Sequence, residues 1–189
     1  MSNRVITADL LDTPITYEDM QRIGIGPGSA GFIVFDETAD MVAVAAGVSR
    51  FLATESCGQC TPCKQDGLTI AEQLARIGHN EANTEDFDLV AHRLQTVTDG
   101  ARCFLATQQQ VTVESILEAF ADEFAAHREH KANPVEPTLV AELLAISGSE
   151  AVSDEHHGAK QPDWSFDQTW NGEVPADRYR DQLLDDQLG

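Results

Sequence analysis

Apolar residues recur three to four positions apart in four stretches of the chain, which is the spacing of one face of an α-helix. These stretches predict helices over residues 41–52, 68–77, 84–97 and 111–127. Asp40 is the expected N-cap of the first helix, and Gly78 is the expected C-cap of the second. Four helices with short connections predict a small four-helix bundle and a mainly α fold class. The side chains expected in its core are Met41, Val44, Ala45, Val48, Phe51, Leu52, Phe87, Val90, Leu94, Val97, Val113, Ile116, Leu117, Phe120 and Phe124.

The segment before these helices has a mixed character. Thr16 has the position of a helix cap, and a glycine-rich turn over residues 24–31 leads into an apolar run at residues 32–35. The length and composition of that run predict a short strand. Residues 1–38 are therefore expected to form a short α/β segment, and residues 39–130 to form the bundle.

Residues 131–189 are expected to form an extended acidic tail with one short helix at residues 138–146. Both tryptophans of the chain, Trp164 and Trp170, lie in this tail. Tryptophan is enriched at protein interfaces and rare in disordered chains, which favours a tail that docks on a partner. The alternatives are a disordered tail and a tail that packs back on its own bundle.

The charge of the chain excludes several kinds of partner. Its 189 residues include 12 Lys and Arg against 32 Asp and Glu, for a formal net charge of −20. Nucleic acid and anionic membrane surfaces would both repel such a protein. No apolar run approaches the length that crosses a bilayer, and residues 1–12 lack the pattern of a secretory signal. We therefore expect a cytoplasmic protein that binds no nucleic acid and does not insert into a membrane.

The four cysteines carry the main chemical signal. Cys57, Cys60 and Cys63 have two residues between successive members, and Cys103 follows 40 positions after Cys63. A C-x2-C-x2-C run plus one remote cysteine is typical of a [4Fe-4S] cluster, because one tight loop reaches three corners of the cube and leaves the fourth to a distant residue. The number of cysteines allows one cluster.

Zinc and disulfides are the alternative uses of these thiols. Structural zinc normally takes its cysteines as two pairs from two loops, which is not the spacing here. A disulfide framework or a thioredoxin-like pair would leave one thiol of the crowded run unpaired. The loop itself favours a cluster, since Gly58 admits a positive φ and Pro62 fixes φ and removes a backbone donor.

Two weaker patterns do not indicate a second site. Residues 26–31 match G-x-G-x-x-G, but they precede the expected strand, whereas a dinucleotide site needs the glycines to follow a strand and open a helix. A plain turn is therefore favoured. The histidines show no zinc-hydrolase spacing, and the surface is the default expectation for all six of them, His79, His92, His127, His130, His156 and His157.

The cysteine run and its flanks resemble a known family. Residues 55–63 read Glu-Ser-Cys-Gly-Gln-Cys-Thr-Pro-Cys, which is similar to the E-S-C-G-x-C-T-P-C signature of the flavin- and NADH-binding (F-type) subunit of respiratory complex I. Related NAD-dependent hydrogenases and formate dehydrogenases share that signature. Residues 11–14, 28–35 and 40–45 are similar to the segment that precedes it in the family, and Cys103 falls where the family places its fourth ligand. The resemblance runs from about residue 11 to about residue 124.

The resemblance implies a helical domain that binds one [4Fe-4S] cluster and passes electrons from a nearby flavin to further clusters. The family's flavin and NADH domain is expected ahead of Leu11, where this sequence has no room for it, so neither flavin nor NAD is expected on this chain. Lys64 stands where the family usually has Arg, which keeps the charge but loses the planar fork. Gly58, through its amide, and Lys64 are expected next to the ligands.

The leading hypothesis is an iron-sulfur electron-transfer subunit of a cytoplasmic oxidoreductase complex. It would work beside a flavin- or cluster-bearing partner subunit and would not oxidise NADH by itself. The rival hypothesis is a non-redox interaction or assembly protein, in which a cluster or a zinc ion only staples the bundle.

Overall fold

The computed structural model describes residues 4–26, 32–148 and 150–162, and over these residues the protein is mainly helical. The mainly α fold class predicted from the sequence is confirmed. Two short 3-10 helices, Ala8–Leu10 and Glu155–Ala159, and one antiparallel pair of strands accompany the helices. The main elements are α1 (Tyr17–Arg22), α2 (Met41–Glu55), α3 (Thr61–Gly78), α4 (Thr84–Thr96), α5 (Leu105–Ala119), α6 (Ala121–Arg128), β1 (Leu143–Ser147) and β2 (Glu150–Ser153).

Helix α2 lies at the centre of the bundle and packs along α3, with further contacts to α5 and α6. Asp40 caps it as predicted, since its carboxylate accepts hydrogen bonds from the N–H groups of Val42 and Ala43. Burial of apolar side chains between these helices is the main force that holds the bundle together. Of the side chains predicted for the core, Val48, Phe51, Leu52, Phe87, Leu117 and Phe120 are partly buried, and the others are buried.

Helix α3 begins at Thr61 rather than near residue 68, so Cys63 lies in its first turn. Cys60 is the N-cap, and Pro62 is tolerated there because the first turn of a helix has no intrahelical partner for its N–H groups. The first turn of α3 was not predicted because Lys64 and Asp66 are polar and interrupt the apolar spacing expected of a helix. Both are buried, and Asp66 accepts hydrogen bonds from Arg93 and Thr96 of α4.

The last predicted helix is longer than expected and is broken. It starts at Leu105 instead of residue 111, and Phe120, with φ −122° and ψ 33°, separates α5 from α6. The apolar stripe continues across this break, so periodicity alone could not reveal it. The second predicted helix, α3, also ends differently from the prediction. Gly78 is its last helical residue rather than its C-cap, and the left-handed residue that follows the helix is Asn80, at φ 59°.

Two local predictions outside the bundle are wrong. Residues 32–36 have no regular secondary structure, and Phe32, Ile33 and Val34 are exposed. A strand needs a partner, and none lies beside them among the described residues. Residues 143–147 form β1 rather than part of a helix. The Thr16 cap of α1 is confirmed, whereas positions 27–31 of the glycine motif lie outside the described residues.

The expected surface position is wrong for two histidines, His127 and His157, which are 1% and 4% exposed. In His127, Nδ1 lies 2.8 Å from Oδ1 of Asn80, and Nε2 lies 2.9 Å from Oδ2 of Asp40. The ring thereby joins α6 to the N-terminal cap of α2 and to the turn after α3. Burial of a polar ring is tolerated here because both nitrogens have partners.

Residues 132–138, which we name the strap, cross back over the bundle. The N–H of Val135 donates to the carbonyl of Gly78 at 2.9 Å, and the N–H of Thr138 donates to the carbonyl of Ala43 at 3.0 Å. At Gly47 the strap comes so close that an added Cβ would lie 1.8 Å from the carbonyl oxygen of Thr138. Part of the predicted tail therefore packs on the bundle, where it contacts α2 at Ala43 and Gly47 and the end of α3 at Gly78.

Candidate metal centre

The loop between α2 and α3 presents the first three cysteines. Ser56 ends α2, since its N–H donates to the carbonyl of Leu52 at 3.0 Å, and Cys60 is the N-cap of α3. Gly58 has φ +76°, a left-handed conformation that disfavours any side chain, which confirms the predicted reason for glycine at this position. The loop thus reverses direction within a few residues and brings Cys57 and Cys63 to the same end of the bundle.

Cys103 reaches the same end from the loop before α5. Cys63 is buried, Cys60 is half-buried, and Cys57 and Cys103 are exposed. Burial raises the pKa of the Cys63 thiol, and a hydrogen bond from Ser56 opposes that increase. Negative charge on Cys103, Cys60 and Cys57 raises the pKa of Cys63 further, which shows that all three lie within electrostatic range of it. The three other cysteines therefore lie near enough to affect Cys63, and the binding of one cofactor by all four stays a prediction.

The donor set suits an iron-sulfur cluster. All four cysteines are free thiols, and thiolates are the ligands by which such clusters are held. Within the described part of the chain, no three His, Cys, Asp or Glu side chains are arranged to hold a metal ion.

Lys64 follows Cys63 directly and is fully buried. Its Nζ donates to the carbonyl oxygens of Ala53 at 2.8 Å and Thr54 at 3.3 Å. A positive charge at the C-terminal carbonyls of α2 is favourable because it meets the negative end of the helix dipole. Lys64 therefore ties the start of α3 to the end of α2. Its predicted contact with a cofactor, like that of the Gly58 amide, stays a prediction.

Glu55, two residues before Cys57, is held by a second part of the chain. Its Oε1 lies 2.8 Å from Nε2 of His157 and 2.6 Å from Nζ of Lys160, and we name these three residues the Glu55 clasp. Burial alone would raise the pKa of Glu55, but hydrogen bonds from Lys160 and His157 outweigh it and hold that pKa below its usual range. The clasp fixes the end of α2 from which the cysteine loop departs.

Neighbouring side chains of α2 reinforce the clasp. Arg50 donates from Nη2 to the carbonyl oxygens of Gly158 at 2.8 Å and Lys160 at 3.1 Å. The ring of Phe51 stacks on His157 with 4.9 Å between centroids. Sequence reasoning missed all of these contacts. Glu55 is 102 positions from His157, and no local pattern signals a pair so far apart.

We expect Lys160→Met to loosen this attachment. Methionine keeps the length of the side chain but leaves the half-buried Glu55 carboxylate with one partner fewer, which should decrease the free energy of unfolding by about 1–2 kcal/mol. The matched control is Lys131→Met, because Lys131 is exposed and pairs with exposed Glu129, so a change near zero is expected. Urea unfolding of both variants measures the difference, and equal midpoints would show that the clasp does not stabilise the fold.

The fold is a helical module with four free cysteines, three of them in or beside the loop between α2 and α3. Residues 43–127 match the family model of the NADH-ubiquinone oxidoreductase-F iron-sulfur binding region, and all four cysteines lie inside the matched span. The resemblance inferred from the sequence is confirmed by this match. The match also supports an iron-sulfur cluster as the cofactor. No helix in the described part of the chain has the length and apolar character to cross a membrane.

Several curated relatives share this region. The NADP-reducing hydrogenase subunit HndC of Solidesulfovibrio fructosivorans is 33% identical over 124 residues, which are 66% of this chain and 25% of the relative. The F subunit of the NADH-quinone oxidoreductase of Mycobacterium bovis is 29% identical over 150 residues, 79% of this chain and 33% of the relative. The F 2 subunit of the NADH-quinone oxidoreductase of Rhizobium meliloti is 29% identical over 134 residues, 71% of this chain and 32% of the relative. The chain therefore spans a quarter to a third of these relatives, and all of them are named as subunits of oxidoreductases.

Proposed function

We propose that this chain is an iron-sulfur electron-transfer subunit of a cytoplasmic oxidoreductase complex of the NADH dehydrogenase, hydrogenase or formate dehydrogenase type. The observation that carries the proposal is the match of residues 43–127 to an iron-sulfur binding region, a span that contains Cys57, Cys60, Cys63 and Cys103. These thiolates would hold one [4Fe-4S] cluster. The cluster supplies a site that accepts and releases single electrons.

The arrangement of the thiols suits a relay. Cys63 is buried against the end of α2, whereas Cys57 and Cys103 are exposed, as is Phe104 beside them. A cluster held this way has one side inside the protein and one side at the surface. Electron transfer weakens steeply with distance, so an exposed side favours exchange with a cofactor on a partner. The buried side keeps water away from part of the cofactor, which is one of the ways a protein sets its potential.

The partner is a subunit that carries a flavin or further clusters. The curated relatives are three to four times longer than the span they share with this chain, and they are named as subunits of NADH-quinone oxidoreductases and of a hydrogenase. The cluster held by this chain would take its electrons from such a subunit. We include in the proposal that the tail around Trp164 and Trp170, which lies outside the described residues, contributes to docking.

Anaerobic purification of the chain with its native partners tests this function. We expect a brown protein with about four iron atoms per chain, whose visible absorbance bleaches on addition of dithionite, as cluster reduction requires. A flavin- or cluster-bearing subunit should co-purify with it. A colourless protein that contains zinc and does not respond to dithionite would overturn the electron-transfer function. That result would favour the rival hypothesis, an interaction or assembly protein in which the metal only stabilises the bundle.

A further inference from the structure

The hydroxyl of Ser56 lies against the buried cysteine of the site. Its Oγ is 3.6 Å from Sγ of Cys63, a hydrogen-bond distance for an atom as large as sulfur. Both residues are shielded from solvent, with 3% of Ser56 and 8% of Cys63 exposed. Water therefore competes little for either group, and a hydrogen bond in such a place is stronger than one at the surface.

The direction of this hydrogen bond follows from the chemistry of the ligand. In the free thiol either atom could be the donor. A cysteine that binds iron does so as a thiolate and has no proton to give, so Ser56 must then donate.

The backbone holds the two side chains in this relation. Ser56 is fixed as the C-cap of α2 by its N–H bond to Leu52. Cys63 lies in the first turn of α3, and its neighbour Lys64 is bound to the carbonyl groups of Ala53 and Thr54 at the end of α2. Contacts on either side of the hydrogen bond therefore hold the serine hydroxyl next to the cysteine sulfur.

We propose that Ser56 raises the reduction potential of the cluster by donating a hydrogen bond to Sγ of Cys63, an inference that rests on the proposed function. The donated proton stabilises negative charge on the sulfur. Reduction adds one electron to the cluster and its ligands, so the reduced state gains more from this bond than the oxidised state does. The hydroxyl therefore makes the cluster a better electron acceptor.

Ser56→Ala removes the donor with little change in size. We expect the equilibrium constant for one-electron reduction to decrease by about threefold to tenfold, which is a decrease in potential of at most about 59 mV. The matched control is Ser49→Ala. Ser49 also lies in α2 and is fully buried, but its hydroxyl has no hydrogen-bond partner in the described structure, so the potential should not change. Ser56→Thr, which keeps a hydroxyl, should restore the wild-type potential.

Redox titration followed by electron paramagnetic resonance measures these potentials. In D2O, pulsed measurements should also show one exchangeable deuteron near the cluster that is absent from Ser56→Ala and present in Ser49→Ala. An intact cluster with the wild-type potential in Ser56→Ala would overturn the inference and leave the proposed function standing. If that variant holds no cluster, the wild-type protein decides, because no hydroxyl deuteron coupled to its cluster would overturn the inference. A wild-type protein without a reducible cluster would overturn both.

Discussion

Cys103→Ser should remove most of the cluster from an anaerobically purified protein. Cys103 comes from the loop before α5, so it is the one predicted ligand that would join the cysteine loop to another part of the bundle. Serine is close in size but is a poor ligand for iron, whose clusters are held by thiolates. We expect the content of four-iron clusters to decrease by roughly tenfold or more, measured as iron and sulfide per chain and as visible absorbance.

The matched control for this substitution is Ala101→Ser. It adds a hydroxyl to the same loop without removing a thiol, so the cluster content should stay at the wild-type level. Circular dichroism of both variants checks that the helices are retained. An intact, dithionite-reducible four-iron cluster in Cys103→Ser would show that the fourth ligand has been assigned to the wrong residue.

Gly47→Ala should strongly destabilise the protein, although alanine is the better helix former. In an isolated helix this change would stabilise by about 1 kcal/mol. Here the added Cβ would lie 1.8 Å from the carbonyl oxygen and 2.8 Å from the carbonyl carbon of Thr138, both of which are backbone atoms. Either the strap moves away from α2 or the helices shift, and we expect a net loss of at least about 2 kcal/mol in the free energy of unfolding.

The sign of the effect is what makes this substitution informative. Gly158→Ala is the matched control, because the nearest atom to its added Cβ is Cδ1 of Leu139 at 3.7 Å, an ordinary contact. Urea unfolding of both variants, with limited proteolysis of residues 132–138, measures stability and strap release together. A Gly47→Ala variant as stable as the wild type or more so, with a protected strap, would contradict the close approach of the strap to α2.

The helices were predictable where their signals are local. The Asp40 cap, the acidic first turn after Thr84 and the apolar stripes of α2, α4 and α5 all depend on residues a few positions apart. The start of α3 was missed because Lys64 and Asp66 are polar. In a sequence, polar residues at these positions indicate a loop, and only their hydrogen-bond partners explain why they are buried in a helix. Those partners come from α2 and α4.

The strands show the opposite error. The apolar residues 32–35 have the composition of a strand but lie exposed without regular structure, and residues 143–147, part of a predicted helix, pair with β2 instead. Strand formation depends on a partner strand, and a pairing is not visible in one segment alone. The hairpin can form because β2 follows β1 closely along the chain.

In the candidate site, too, the features that depend on nearby residues were predictable and those that depend on distant residues were not. The cysteine spacing was enough to predict four ligands and an iron-sulfur cofactor, and the positive φ of Gly58 agrees with the tight turn expected in the loop that carries three of these cysteines. Nothing local indicated that Ser56 would meet Cys63 in a buried contact, or that His157 and Lys160 would hold Glu55. These contacts join residues whose sequence separation ranges from seven positions to more than one hundred.

By itself, the sequence determined the helical class and the family resemblance and predicted the ligand set, since caps, periodicity and short-range cysteine spacing are encoded within a few turns of chain. The tertiary structure alone decided how the end of α2 is fixed and what surrounds the thiols. The strap crosses α2 at Gly47, the Glu55 clasp holds the helix end, and Ser56 faces Cys63. The physical reason is that burial and hydrogen-bond pairing depend on which surfaces meet once the chain has folded.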